Sequence, residues 1–123
     1  MGKISVLDYV NNNDLLEIRY IPFETKLRII DSIITEIIEK EKTINTSLIR
    51  RISIQIFIEN STNIDLSSTD DNNLDGFNQL YYYNALESLT RFIGNEYSEF
   101  LLILKERISD YRANILHLKN DVK

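Results

Sequence analysis

The chain contains no cysteine and no tryptophan, and only one histidine, one proline and three glycines in 123 residues. Without cysteine there are no disulfides, no thiolate metal sites and no cysteine nucleophile. The one histidine, His117, has no His-x3-His or Glu-x2-His partner of the kind that holds a metal. Three scattered glycines cannot build a loop that cradles phosphate. No apolar run approaches the ~20 residues needed to cross a bilayer. The first residues also lack the basic-then-apolar pattern of a signal peptide. Positive charge is in deficit: 14 Lys and Arg stand against 19 Asp and Glu, for a net charge of -5. That balance disfavours wholesale binding to a phosphate backbone. The basic residues Arg50, Arg51, Arg91, Lys105, Arg107, Arg112 and Lys119 are dispersed, so they read as solvated helix surface. Glu36, Glu39 and Glu41 lie close together, but no matched carboxylate helix faces them. Catalysis is therefore the least supported reading, and no cofactor is expected.

What remains is an ordinary globular balance, with 43% hydrophobic and 27% charged residues. The length suits one domain spanning 1–123 with a real core. The most regular feature is a 4-3 apolar repeat: Tyr97, Leu101, Leu104, Ile108, Tyr111, Ile115, Leu118 and Val122. On a helix these side chains form one stripe. Around Phe100–Leu104 the helix is apolar on most sides, which implies burial. After Lys105 the apolar set narrows to a seam suited to a single partner helix. Two coverings fit that seam: the chain's own proline-led helix, or another subunit onto which the C-terminal half projects as an arm.

The other elements follow from periodicity and caps. Ser5 is placed to cap a short helix to Asn11, with Val6, Leu7 and Val10 on one face. Asn11, Asn12, Asn13 and Asp14 read as a break, and 15–20 is ambiguous and can be extended. Pro22 fits the first turn of a helix over roughly 22–41. Its face is Phe23, Leu27, Ile30, Ile34, Ile37 and Ile38, widened by Ile29 and Ile33. In 45–59, Ile52, Ile54, Ile56 and Ile58 alternate as in a strand. Leu48, Ile49, Ile52, Ile56 and Phe57 equally fit a helix face, with Asn45 or Thr46 as cap. No second strand exists to pair with it, and an isolated strand leaves its backbone unsatisfied, so helix is the reading. Residues 60–75 are polar and acidic and read as a loop pinned by Ile64 and Leu66. A helix over 77–93 buries Leu80, Tyr83, Leu86, Leu89 and Ile93 and stops at Gly94. The last helix starts near Asn95 or Glu96. The expected fold is all-α, a compact bundle of four or five helices with a long C-terminal helix.

Three groups of residues carry candidate function. Asp71, Asn73, Asp75 and Gly76 match the start of a calcium loop, which needs alternating oxygens and a glycine turn. The twelfth position is Tyr82 rather than Glu, so an Asx-rich loop that caps the following helix is the competing explanation. Tyr81, Tyr82 and Tyr83 cover about 200° of a helix and cannot all face one core. Tyr81 and Tyr82 are candidate binding anchors, together with the seam residues Ile108, Tyr111, Ile115 and Leu118. Asp70, Asp71 and Asp75 form an acidic segment able to occupy a basic groove.

The segments YIPFETKLRIIDSIITEII and IFIENSTNIDL, the acidic loop, and the closing RISDYRANI resemble small, mostly unannotated helical proteins of phages and prophages of low-GC Gram-positive bacteria. The usage of 20 Ile and 13 Asn against 2 Ala agrees with a low-GC source. The resemblance implies a helical phage protein found in the virion or host cytoplasm, plausible as a virion or assembly component. Three functions follow: contact with a protein partner or with further copies, inhibition of a host factor or defence enzyme through the acidic surface, or weak calcium response. Nucleic acid and membrane are not expected partners.

Overall fold

A computed structural model describes residues 2–39 and 45–121, with side chains for 2–38 and 45–113. It is all-α, as the periodicity implies. Among the described residues six α-helices occur in the order α1 Val6–Asn11, α2 Phe23–Ile33, α3 Thr46–Ser61, α4 Gly76–Tyr82, α5 Ala85–Ile93 and α6 Asn95–Asp121, with a 3-10 turn at Asn13–Leu15. No described helix is long and apolar enough to cross a membrane.

Ser5 caps α1 as its position implies: its Oγ accepts from Asp8 N at 3.0 Å, and Asp8 Oδ2 accepts from Ser5 N at 3.1 Å. The inward face is corrected. Val6 and Tyr9 are buried, whereas Leu7 and Val10 are exposed. Two turns of helix present only a narrow i, i+3 edge, and Tyr9 takes it because its hydroxyl reaches Ser88 Oγ on α5.

Pro22 stands one position earlier than expected, at the N-cap of α2, where its carbonyl accepts from Lys26 N at 3.0 Å. The buried face is Lys26, Ile30 and Ile33, and Phe23 is 48% exposed. The face is therefore turned about one residue from the all-apolar stripe. After Ile33 the winding loosens into a π-helical turn, Ile34–Glu39. The wider i→i+5 winding lets Ile33, Ile34, Ile37 and Ile38 all bury. The expected helix end near 41 lies outside the described residues.

The segment with two readings is helix α3, capped by Asn45, whose Oδ1 accepts from Leu48 N at 3.0 Å. Its alternating isoleucines serve two cores from one helix. Ile49 and Phe57 belong to the first, with Ile52 and Ile56 packed on it, while Ile54 and Ile58 belong to the second. The first core adds the α2 isoleucines, Ile93, Phe100 and Leu104. The second gathers Val6, Tyr9, Ile64, Leu66, Leu80 and Leu89. Phe57 joins α3 to α6 through ring contacts with Tyr97 at 5.3 Å and Phe100 at 5.0 Å between centroids.

Two expectations about 60–93 need correction. The first half of the polar loop is not solvated: Ser61, Thr62 and Asn63 are buried alongside Ile64 and Leu66. The chain pairs there with two N-terminal stretches, through isolated bridges Ile4–Ile64 and Ile18–Thr62. Arg19 N donates to Ser61 O at 2.7 Å, and Asp65 N donates to Ile4 O at 2.8 Å. Second, the helix expected over 77–93 is broken. Asn84 turns left-handed at φ 54° and ψ 35°, dividing α4 from α5. Asparagine tolerates this region better than most residues, so the break is legible only in retrospect. Gly94, at φ 72°, ends α5 as expected.

Candidate interaction surface

Asp75 N-caps α4. Its Oδ1 accepts from Asn78 N at 2.9 Å, and its Oδ2 is ion-paired with the Arg51 guanidinium on α3. The hydrogen bond from the Asn78 amide holds the Asp75 carboxyl below its ordinary value, against some desolvation and with help from Arg51. Asp70 organises the preceding turn. Its Oδ1 accepts from Asn72 N and Leu74 N, each at 2.9 Å, and its Oδ2 accepts from the Tyr83 hydroxyl at 3.1 Å. Burial, reinforced by Asp70, pushes the Tyr83 phenol up. Asn73 takes a left-handed φ of 62°, and Asp71 is exposed.

These contacts bear directly on the calcium candidate Asp71, Asn73 and Asp75. Asp75 is committed to the cap and to Arg51, so the geometry is that of an Asx turn leading into a capped helix. No group of three or more His, Cys, Asp or Glu able to hold a metal occurs among the described residues. Gly76, the apparent calcium-loop glycine, has a different reason to be there. A Cβ on it would overlap the backbone of Leu66, against which the start of α4 packs.

Next to this cap lies a patch of rings and cations. Tyr81 is 43% exposed and Tyr82 62% exposed, whereas Tyr83 turns partly inward, as three successive helical residues require. Phe77 and Tyr81 meet edge-on at 5.2 Å, and Arg51 lies 5.0 Å from the centre of the Phe77 ring. Arg50 donates to the Tyr81 hydroxyl at 3.3 Å. A hollow of about 260 Å3, lined by Leu80, Tyr81, Asn84, Leu86 and Glu87, opens where α4 breaks from α5. Exposed rings beside a hollow are features of protein-binding surfaces.

The seam behaves differently. Ile108 and Tyr111 are partly buried against the chain's own first core. The described part of the seam is thus partly covered from within, and Leu101, Leu104 and Ile108 also line an open groove beside α3. The side chains of Ile115, His117, Leu118, Lys119 and Val122 lie outside the described residues, as do those of Glu39 and Glu41. Of the cations considered for nucleic acid, Arg51 pairs with Asp75 and Arg91 with Glu87, and Arg107 stands 3.9 Å from Asp31.

The least expected site residue is Lys26, which is 1% exposed. Its ammonium pairs with Glu96, stands 3.9 Å from Glu99, and lies 5.0 Å from the centre of the Tyr20 ring. The signal was available: Lys26 sits four residues before Ile30, on the same stripe. It clasps α2 to the first turn of α6. No family model matches this chain, and no curated protein or solved structure shows significant similarity to it.

Proposed function

We propose that this chain is a non-enzymatic, phage-encoded protein that works by protein–protein contact, as a head or tail component or an assembly factor. The observation that carries the reading is the exposed pair Tyr81 and Tyr82, the first of which lines the hollow at the α4–α5 break. Large aromatic side chains bury much area at small entropic cost and supply a disproportionate share of binding energy at interfaces. The phage setting rests on the resemblance and on the isoleucine- and asparagine-rich usage. The alternative, an inhibitor with an acidic face, is weakened by the use of Asp70 and Asp75 inside the fold, which leaves Asp71 as the free acid of the three.

The test pairs light scattering with recovery of partners from infected cells, using the natural sequence and the double variant Tyr81→Ser, Tyr82→Ser. The natural chain should form a defined oligomer or retain a discrete partner. The variant should keep its helical circular dichroism and lose that contact by tenfold or more, since anchor truncations cost upwards of about 1 kcal/mol each. A strictly monomeric natural chain that retains no partner overturns the proposal.

A further inference from the structure

Helix α2 packs closely on both α3 and α6, but α3 and α6 approach one another less. Between them runs a groove of about 420 Å3, within the size range of small-molecule sites. Its walls are apolar: Ile49 from α3, and Leu101, Leu104 and Ile108 from α6. Thr46 and Tyr97 complete the lining, and three further polar groups interrupt the apolar walls. Arg50 and Lys105 line the groove, and neither has a carboxylate partner among the described residues. On a chain of net charge -5, two cations left without an acid beside one apolar groove are notable. The third group is Ser53, fully buried, whose Oγ has no hydrogen-bond partner among the described residues.

A helical serine ordinarily satisfies its hydroxyl on the carbonyl four residues back. Ser61 at the end of this helix and Thr62 at its C-cap do so, bonding to Phe57 O at 2.7 Å and Ile58 O at 2.6 Å. Ser53 does not, and burial of an unpaired hydroxyl is unfavourable. It lies three residues after Arg50, on the same side of α3, so a single acceptor can meet both. We infer that the groove between α3 and α6 binds a small anionic amphiphile, a carboxylate on an aliphatic chain. Its head is held by Arg50, Lys105 and the Ser53 hydroxyl, and its tail lies along Ile49, Leu104 and Ile108. Charge complementarity selects the head, and the four aliphatic side chains exclude a wholly polar anion as the natural occupant. The groove adjoins the Tyr81 surface, since Arg50 also donates to the Tyr81 hydroxyl, but titration with decanoate and recovery of a protein partner read the two proposals independently.

The experiment is calorimetric titration of the full chain with decanoate below its micelle concentration, with octanoate, decylamine and decanol as comparisons. Decanoate should bind saturably at one site per chain. Octanoate, two methylenes shorter, should bind roughly tenfold more weakly. Decylamine should not bind, and decanol should bind at least tenfold more weakly than decanoate. The double variant Arg50→Gln, Lys105→Gln changes exposed side chains and should fold normally while losing tenfold or more in affinity. Ser53→Ala removes the unpaired hydroxyl and should weaken decanoate several-fold without loss of thermal stability. No saturable decanoate binding overturns the inference. Equal binding of decylamine overturns it too, as does unchanged affinity in the Arg50, Lys105 variant.

Discussion

Residues 61–66 and 67–75 are adjacent, similarly polar, and treated in opposite ways by the fold. In the first stretch Ser61, Thr62 and Asn63 are buried and exchange hydrogen bonds with residues more than forty positions away. In the second, Asp70 and Asp75 bond mainly to residues within four positions, and Ser67, Ser68 and Thr69 stay exposed. Ile64 and Leu66 anchor the first stretch, and the second has only Leu74. The polar residues themselves are separated by the supply of partners. The segments at Ile4 and at 15–19 bring unpaired backbone groups, and buried backbone groups must be matched. Asn63 matches two of them: its Nδ2 donates to Leu15 O at 2.9 Å and its Oδ1 accepts from Glu17 N at 2.9 Å.

The contrast can be broken most sharply at Asn63. Asn63→Leu leaves the Leu15 carbonyl and Glu17 amide without partners and should cost about 2–4 kcal/mol, measured by urea unfolding. A loss below about 1 kcal/mol would show that water replaces the side chain readily there and that the stretch is solvated after all. The next effect is at the junction. Gly76→Ala drives a methyl group into the Leu66 backbone and should cost about 1–3 kcal/mol, because the obstacle is main chain rather than a side-chain end.

A smaller loss belongs to Asp75→Ala, about 1 kcal/mol at neutral pH from the lost cap. Its partial exposure keeps the Arg51 pair from adding much. The sign with pH follows from the depressed folded pKa. The Asp75 contribution is complete above the ordinary carboxyl value of 3.8 and is lost as pH falls through the lower folded value. The gap between natural chain and variant should therefore close in acid, which unfolding curves at two pH values will check. Smallest of all, Asp71→Asn should lie within about 0.5 kcal/mol of the natural chain, since that side chain is exposed. A large loss there would mean that the second stretch is more than a self-bonded turn.

Much of this architecture is legible in the residues themselves. Ser5, Asn45 and Gly94 mark helix ends through chemistry that operates within one turn, and the isoleucine spacing reports its own burial. The failures share one cause, which is dependence on groups distant in sequence. Lys26 is buried because Glu96 and Glu99 lie across from it, and Tyr9 because Ser88 does. The alternating isoleucines of α3 resemble a strand because one helix serves two cores, a fact about neighbours rather than about the segment. For the candidate surface, the tyrosine run was legible as a geometric impossibility, since three successive helical side chains cannot share one interior. The groove was not, because Arg50, Ser53 and Lys105 come together only when α6 stands away from α3.

Gly94 is a single residue between α5 and a helix of 27 residues. At 1.5 Å per residue that helix is about 40 Å long. A rotation of about 10° at the glycine moves the far end by about 7 Å. The Lys26 clasp grips α6 at Glu96 and Glu99, close to the pivot, where the mechanical advantage is poorest. Phe100, Leu104, Ile108 and Tyr111 continue the grip outward by packing on the first core. The helix is therefore held as a beam clamped along its near part, and the rotation that a lone glycine would permit is opposed by every one of those side chains.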